Sequence, residues 1–187
     1  MTSRIGLLGG TFDPIHNGHI AIAKTAIQQL KLDKLLLIPA GNPWQKSEFS
    51  DSKHRLEMVK KAGNDLEKVE VSDIEVNKTG PTYTFETLQE LHKKYPNSEL
   101  ILILGSDAVA GFDTWKEPNL VKTLARIYLV QRAGDFTQDW HFDRIQMPPI
   151  EISSTEIREK VKNNESISEL VPKLVNEYIS ANGLYKK

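Results

Sequence analysis

The chain has 187 residues, no cysteine and a formal net charge of −1 at pH 7. That length suits one domain, spanning residues 1–187, that buries ~70% of the surface its unfolded chain exposes. It excludes a disulfide framework, a thiolate metal site and a cysteine nucleophile, and near-neutrality excludes a global pull toward nucleic acid or anionic membranes.

Any anion site must therefore be local. The opening MTSRIGLLGG has too short an apolar run for a signal peptide. No stretch approaches the ~20 apolar residues of a membrane helix. The expectation is a soluble cytoplasmic protein.

Apolar runs alternate with amphipathic stretches along the chain. Ile5–Leu8 reads as a buried strand ending in Gly9-Gly10. Ile20, Ala23, Ala26, Ile27 and Leu30 recur at helical spacing between Gly18 and Leu30. Leu35–Ile38 is a second strand, closed by Pro39 and a loop with Gly41 and Pro43. Ser52–Ala62 reads as a helix with Leu56, Met58 and Val59 inward, and Val69–Val76 alternates as a half-buried strand. Pro81 precedes a helix from Thr84 to Lys94, stopped before Pro96. Leu100–Leu104 is a strand ending in Gly105, Val121–Leu124 a short helix, and Ile127–Val130 another strand. Gly134–Pro149 reads as a loop. Val171–Asn182 is a final helix with Gly183 just past its end. The alternation predicts an α/β fold, a Rossmann-like parallel sheet with helices on both faces. Ligands in such sheets bind beyond the carboxyl ends of the strands. Three such ends carry chemistry: Gly9–His19, Gly105–Asp107 and Ile152–Arg158.

Gly9 and Gly10 follow a strand, so backbone and ligand can approach closely. Asp13-Pro14 imposes a turn. His16 and His19 are three apart at a helix start and can project from one face, with Gly18 keeping the backbone between them accessible. Free N–H groups and a partial positive charge at that helix start, beside two imidazoles, suit phosphate oxygens. Two polar residues in a surface turn is the plainer reading. A metal site needs a third ligand, and His54, His92 and His141 lie in unrelated segments.

Ile152-Ser-Ser-Thr-Glu-Ile-Arg158 opens another helix. Ser153 and Glu156 have the spacing of a capping box. Ser154 and Arg158 are four apart and share a face. Hydroxyls, free N–H groups and a guanidinium at one helix start make a second anion site.

GGTFDPIHNGH resembles the H-x-G-H signature of the nucleotidyltransferase superfamily, and ISSTEIR resembles its second motif. GPTYTFETL, LGSDA with Trp115-Lys116, and the terminal NGLY are similar to the bacterial nicotinate-nucleotide adenylyltransferase family, in order along essentially the whole chain. That resemblance implies a Rossmann-like fold with a small helical C-terminal part. It implies ATP and nicotinate mononucleotide as substrates, nicotinate adenine dinucleotide and pyrophosphate as products, and no covalent intermediate. Mg²⁺ would arrive with ATP, held mostly by phosphates and water. No nucleic acid or membrane partner is expected, and the family allows monomers and homodimers.

The resemblance also implies roles. His16, His19 and Arg158 would be catalytic. Gly9, Gly10, Thr11, Phe12, Gly18, Gly105, Asp107 and Ile152 would line the ATP site, with Ser153, Ser154 and Arg158 on the β- and γ-phosphates. Thr84 begins a helix whose free N–H groups favour a carboxylate, which nicotinate has and nicotinamide lacks. Trp115 would stack on the pyridine ring. Asp107 would accept from a ribose hydroxyl, or merely cap the next helix. Lys46 and Arg132 sit where the family contacts substrate phosphate. This chain has Trp44-Gln45-Lys46 for the family's Pro-His-Lys, and Arg132-Ala133-Gly134 for its Arg-Pro-Gly. His54-Arg55 resembles a family element, and a solvated helix face explains the pair as well. The alternatives are a sister adenylyltransferase acting on pantetheine phosphate or nicotinamide mononucleotide, and a non-catalytic nucleotide-binding regulator.

Overall fold

The computed structural model describes residues 2–42, 49–130, 142–148 and 151–186, the side chain of Asp107 excepted. Its centre is a six-stranded sheet in the order β3-β2-β1-β4-β5-β6. The strands are β1 (Ser3–Gly10), β2 (Lys34–Pro39), β3 (Val69–Val71), β4 (Ser98–Gly105), β5 (Arg126–Val130) and β6 (Asp143–Ile145). Every pairing is parallel. This is the doubly wound order, in which the chain reverses direction of growth between β1 and β4 and opens a crevice at their carboxyl ends.

Both faces of the sheet are buried, which explains the near-continuous apolar strands. Side chains alternate by face. Leu8, Leu37, Ile101 and Ile103 pack against α1 (Asn17–Gln29), α2 (Ser52–Gly63), α6 (Ser154–Lys162) and α7 (Lys173–Ala181). Leu7, Leu36, Leu100 and Leu102 pack against α3 (Thr84–Lys94), α4 (Ser106–Ala110) and α5 (Pro118–Leu124). Gly183 ends α7 in the left-handed region, φ 60, and the Leu184 amide returns to the Ile179 carbonyl at 3.1 Å. That is the Schellman closure that glycine permits. Among the described residues no helix is long and apolar enough to cross a membrane.

Three expectations change. β3 stops at Val71 instead of Val76. It is an edge strand paired only with Leu35–Leu37, and Asp73 then bends the chain by accepting from the amide of Asn77. Part of the segment expected as a loop is strand: β6 pairs Tyr128–Val130 and forms the opposite edge. Three residues are too short for a periodicity to show. On α2 the inward residue ahead of Met58 and Val59 is Arg55, while Leu56 is half-buried.

Candidate active site

The carboxyl ends of β1 and β4 border a cleft of about 510 Å³. Gly9, Gly10, Thr11, Phe12, His16 and His19 line it from β1 and its turn into α1. His16 is the N-cap of α1, with extended backbone at φ −141. Its amide donates to Nδ1 of His19 at 3.2 Å, and the two rings lie 3.7 Å apart, tilted by 32°. With Nδ1 accepting, a neutral His19 carries its proton on Nε2, which makes that atom a donor. Phe12 supports the pair: its ring meets His19 edge-on at 4.9 Å. Phe12 is buried with a left-handed backbone, φ 51, a conformation costing about 1–3 kcal/mol in a non-glycine residue. The surrounding packing must hold it there. Gly10 is part of that packing, since a Cβ on it would lie 3.1 Å from the Phe12 ring.

α6 forms the facing wall, and Ile152, Ser153, Ser154, Thr155 and Arg158 line the cleft. Ser153 caps α6 by accepting from the Glu156 amide at 3.1 Å. The Ser154 hydroxyl donates to the Pro14 carbonyl at 3.0 Å, and Arg158 donates to the Asp13 carbonyl at 2.8 Å. The two anion motifs therefore grip one another across the Asp13-Pro14 peptide, which is cis. A guanidinium has five N–H donors. Besides Asp13, Arg158 uses one on the Thr155 hydroxyl at 3.3 Å, so donors remain for phosphate.

On the other side of the cleft lie Thr82, Tyr83, Thr84, Trp115 and Lys116. The N-cap of α3 is Tyr83, whose side chain makes no capping bond, and Thr84 is the first helical residue. The amides of Glu86 and Thr87 turn to the Tyr83 carbonyl. Among the described residues, the amides of Thr84 and Phe85 are the donors left at this helix start. Trp115 leans on Phe112 at 5.2 Å, and its buried Nε1 has no hydrogen-bond partner among the described residues. Lys116 lies 4.4 Å over the Tyr83 ring, joining the Trp115 segment to the start of α3.

Sequence reasoning missed three groups around this cleft. Arg55 is fully buried, and its guanidinium donates to the carbonyls of Ser50, Thr11, Ala40 and Gly41 at 2.6–2.9 Å. It ties the ends of β1 and β2 together. Burial lowers its pKa from the ordinary value, and the charge of Asp13 opposes that. Glu75 lines the cleft below α3 and accepts from the Thr87 hydroxyl at 2.8 Å. Desolvation raises its carboxyl pKa, against hydrogen bonds from Thr87 and Thr82. Gly41 lies so close that a Cβ there would overlap the Glu75 carbonyl. Asp13 is buried, 5% exposed, and accepts from the Tyr185 hydroxyl at 2.6 Å and the Ser50 amide at 2.9 Å. Burial and the Asp13 charge push the Tyr185 phenol well above its usual range.

The cytidylyltransferase-like family model matches residues 7–160. Curated proteins named "Probable nicotinate-nucleotide adenylyltransferase" align along nearly the whole chain. That of Clostridium tetani is 39% identical, covering 96% of this chain and 98% of its own. That of Tropheryma whipplei strain Twist is 40% identical, over 96% and 98%. The chain belongs to the nicotinate-nucleotide adenylyltransferase family. Among solved structures, the Plasmodium falciparum nicotinic acid mononucleotide adenylyltransferase complexed with NaAD superposes with a TM-score of 0.84 at 21% identity. It covers 98% of this chain and 97% of its own. The same protein complexed with APC superposes at 0.81 with 19% identity, over 98% and 97%. At those identities the likeness is one of fold.

Within this family member, the cleft gathers the described residues expected at the ATP site except Gly18, which is buried inside α1, and Asp107. Gly105 closes β4 at the cleft, and Asp107 follows in α4 with its side chain outside the described residues. Lys46 and Arg132 also lie outside them. Arg55 is not a solvated helix residue. Its signal was present in HRLEMV, where a basic residue sits three before an inward methionine, yet charge argued for the outer face.

Proposed function

We propose that this chain, as one nucleotidyltransferase domain over residues 1–187, transfers the adenylyl group of ATP to nicotinate mononucleotide in the cytoplasm. The products are nicotinate adenine dinucleotide and pyrophosphate, a step of NAD biosynthesis. The observation that carries this reading is the single cleft at the β1–β4 switch point. It has two interlocked anion motifs on one side, and an uncapped helix start with a tryptophan on the other. The names of the curated relatives and of the Plasmodium falciparum complexes support it.

A phosphate oxygen of the mononucleotide attacks the α-phosphorus of ATP in line. The bond from that phosphorus to the bridging oxygen breaks, and pyrophosphate leaves with its electron pair. Alignment and charge neutralisation supply the catalysis. His19 Nε2 and His16 donate to the phosphates at the reacting centre. Ser153, Ser154 and Arg158 hold the β- and γ-phosphates, and Ser154 then exchanges its Pro14 partner for the nucleotide. The Thr84 and Phe85 amides receive the nicotinate carboxylate, and Trp115 stacks on the pyridine ring.

Among the described residues there is no group of three or more His, Asp or Glu side chains that could hold a metal. A Mg²⁺ arriving with ATP would be held mostly by phosphate oxygens and water. That ion would supply charge neutralisation on the leaving pyrophosphate.

The test is pyrophosphate release from ATP with a panel of acceptors. Nicotinate mononucleotide is expected to be the fastest. Faster turnover of pantetheine phosphate would make the chain a sister transferase. ATP binding with no acceptor turned over would make it a regulator.

A further inference from the structure

Asp13 opens the turn that delivers His16 and His19, and three segments distant in sequence end on it. The Tyr185 hydroxyl donates to one carboxylate oxygen at 2.6 Å, and the Ser50 amide to the other at 2.9 Å. Arg158 takes the backbone carbonyl at 2.8 Å, and Ser154 takes the next carbonyl, that of Pro14. Asp13 is 5% exposed, so water has little access to replace a lost donor.

The tail that brings Tyr185 there is shaped for it. Gly183 turns left-handed after α7, and Tyr185 is left-handed as well, at φ 64. Phe12, beside Asp13, has φ 51. Left-handed backbone at a non-glycine residue needs a contact to hold it. The phenol–carboxylate bond joins the two segments that carry it. Tyr185 is absent from the described residues lining the cleft, and its hydroxyl points to Asp13 instead.

We propose that Tyr185 is a positioning residue for adenylyl transfer. Its hydroxyl fixes Asp13, and through Asp13 it sets the histidine turn against Ser154 and Arg158. The inference rests on the reaction assigned above.

Tyr185→Phe in the full chain keeps the ring and removes only the hydroxyl. Expected is a fall in kcat of about tenfold or more, with KM for ATP and acceptor held within about twofold, as for a group that matters in the transition state alone. The imidazole NMR signals of His16 and His19 should move in the nucleotide-free variant. Those of His92, bonded at 2.7 Å to the Leu124 carbonyl, should not. In an Asp13→Ala background, which removes the acceptor, the Tyr185→Phe change should add little further loss. A folded variant with lowered melting temperature, unchanged kcat and unmoved histidine signals would reduce Tyr185 to a structural contact and overturn the proposal. Additive losses in the double variant would overturn it too. If the unaltered chain releases no pyrophosphate with any acceptor, the assigned reaction fails instead. The histidine signals then still decide whether the tyrosine sets the turn.

Discussion

The role proposed for His19 rests on neighbours that fix it on three sides. The His16 amide holds Nδ1, the His16 ring stacks at 3.7 Å, and the Phe12 ring meets it edge-on. On the proposed reaction, Nε2 is then an oriented donor for the reacting phosphate. His19→Ala is expected to lower kcat by at least ~10²-fold, the scale of losing one preorganised donor. Stopped-flow pyrophosphate release checks it, and an unchanged kcat in folded protein would refute the role. The histidine spacing was legible because three residues along a helix start fix a common face. What they lean on was not. Phe12 is expected from the sequence only as a residue lining the ATP site, and neither its left-handed backbone nor its edge contact with His19 shows in the pattern.

At the scale of elements, the helix from Thr84 to Lys94 has the bounds its punctuation predicts, because Pro81 and Pro96 bracket it and both act locally. β3 and β6 were misjudged for the opposite reason. An edge strand of three residues is defined by its partner strand, which local pattern does not encode. Arg55 belongs to the same class. Four carbonyls from three separate segments fix it, and no window of sequence contains them. Each buried carbonyl left without its donor costs about 1–3 kcal/mol, so Arg55→Met is expected to lose at least ~3 kcal/mol in urea unfolding. Arg55→Lys should recover only part, because an ammonium cannot span the fork. A loss below ~1 kcal/mol in the Met variant would mean that the loops at the ends of β1 and β2 hold without it.

For the whole molecule, the doubly wound order brings strand ends separated by nearly the full chain to one crevice. A parallel sheet covered on both faces was legible from strand–helix alternation, and with it the meeting of His16, His19, Ser154 and Arg158, whereas the strand order is set by packing between distant segments. The molecule also carries a pH signature. Burial raises the Glu75 pKa, so the folded chain keeps that proton to higher pH than the unfolded chain. The resulting stability is full below the ordinary glutamate value of about 4.3 and is lost as pH rises through the folded value. Glu75→Gln removes the titration. Urea midpoints should therefore shift in favour of the variant between acid and neutral pH, and parallel pH profiles would contradict the assignment.

The proposed selection of the acceptor joins all three scales, since among the described residues the Thr84 and Phe85 amides are left free of a side-chain cap where α3 starts at the switch-point cleft. A nicotinamide amide would set its NH₂ against those donors, a mismatch of about 1–3 kcal/mol. The decisive measurement is kcat/KM for nicotinate mononucleotide against nicotinamide mononucleotide at saturating ATP. The expected ratio is about 10-fold or more in favour of nicotinate. Equal values, or a preference for the amide, would contradict a carboxylate site at the start of α3.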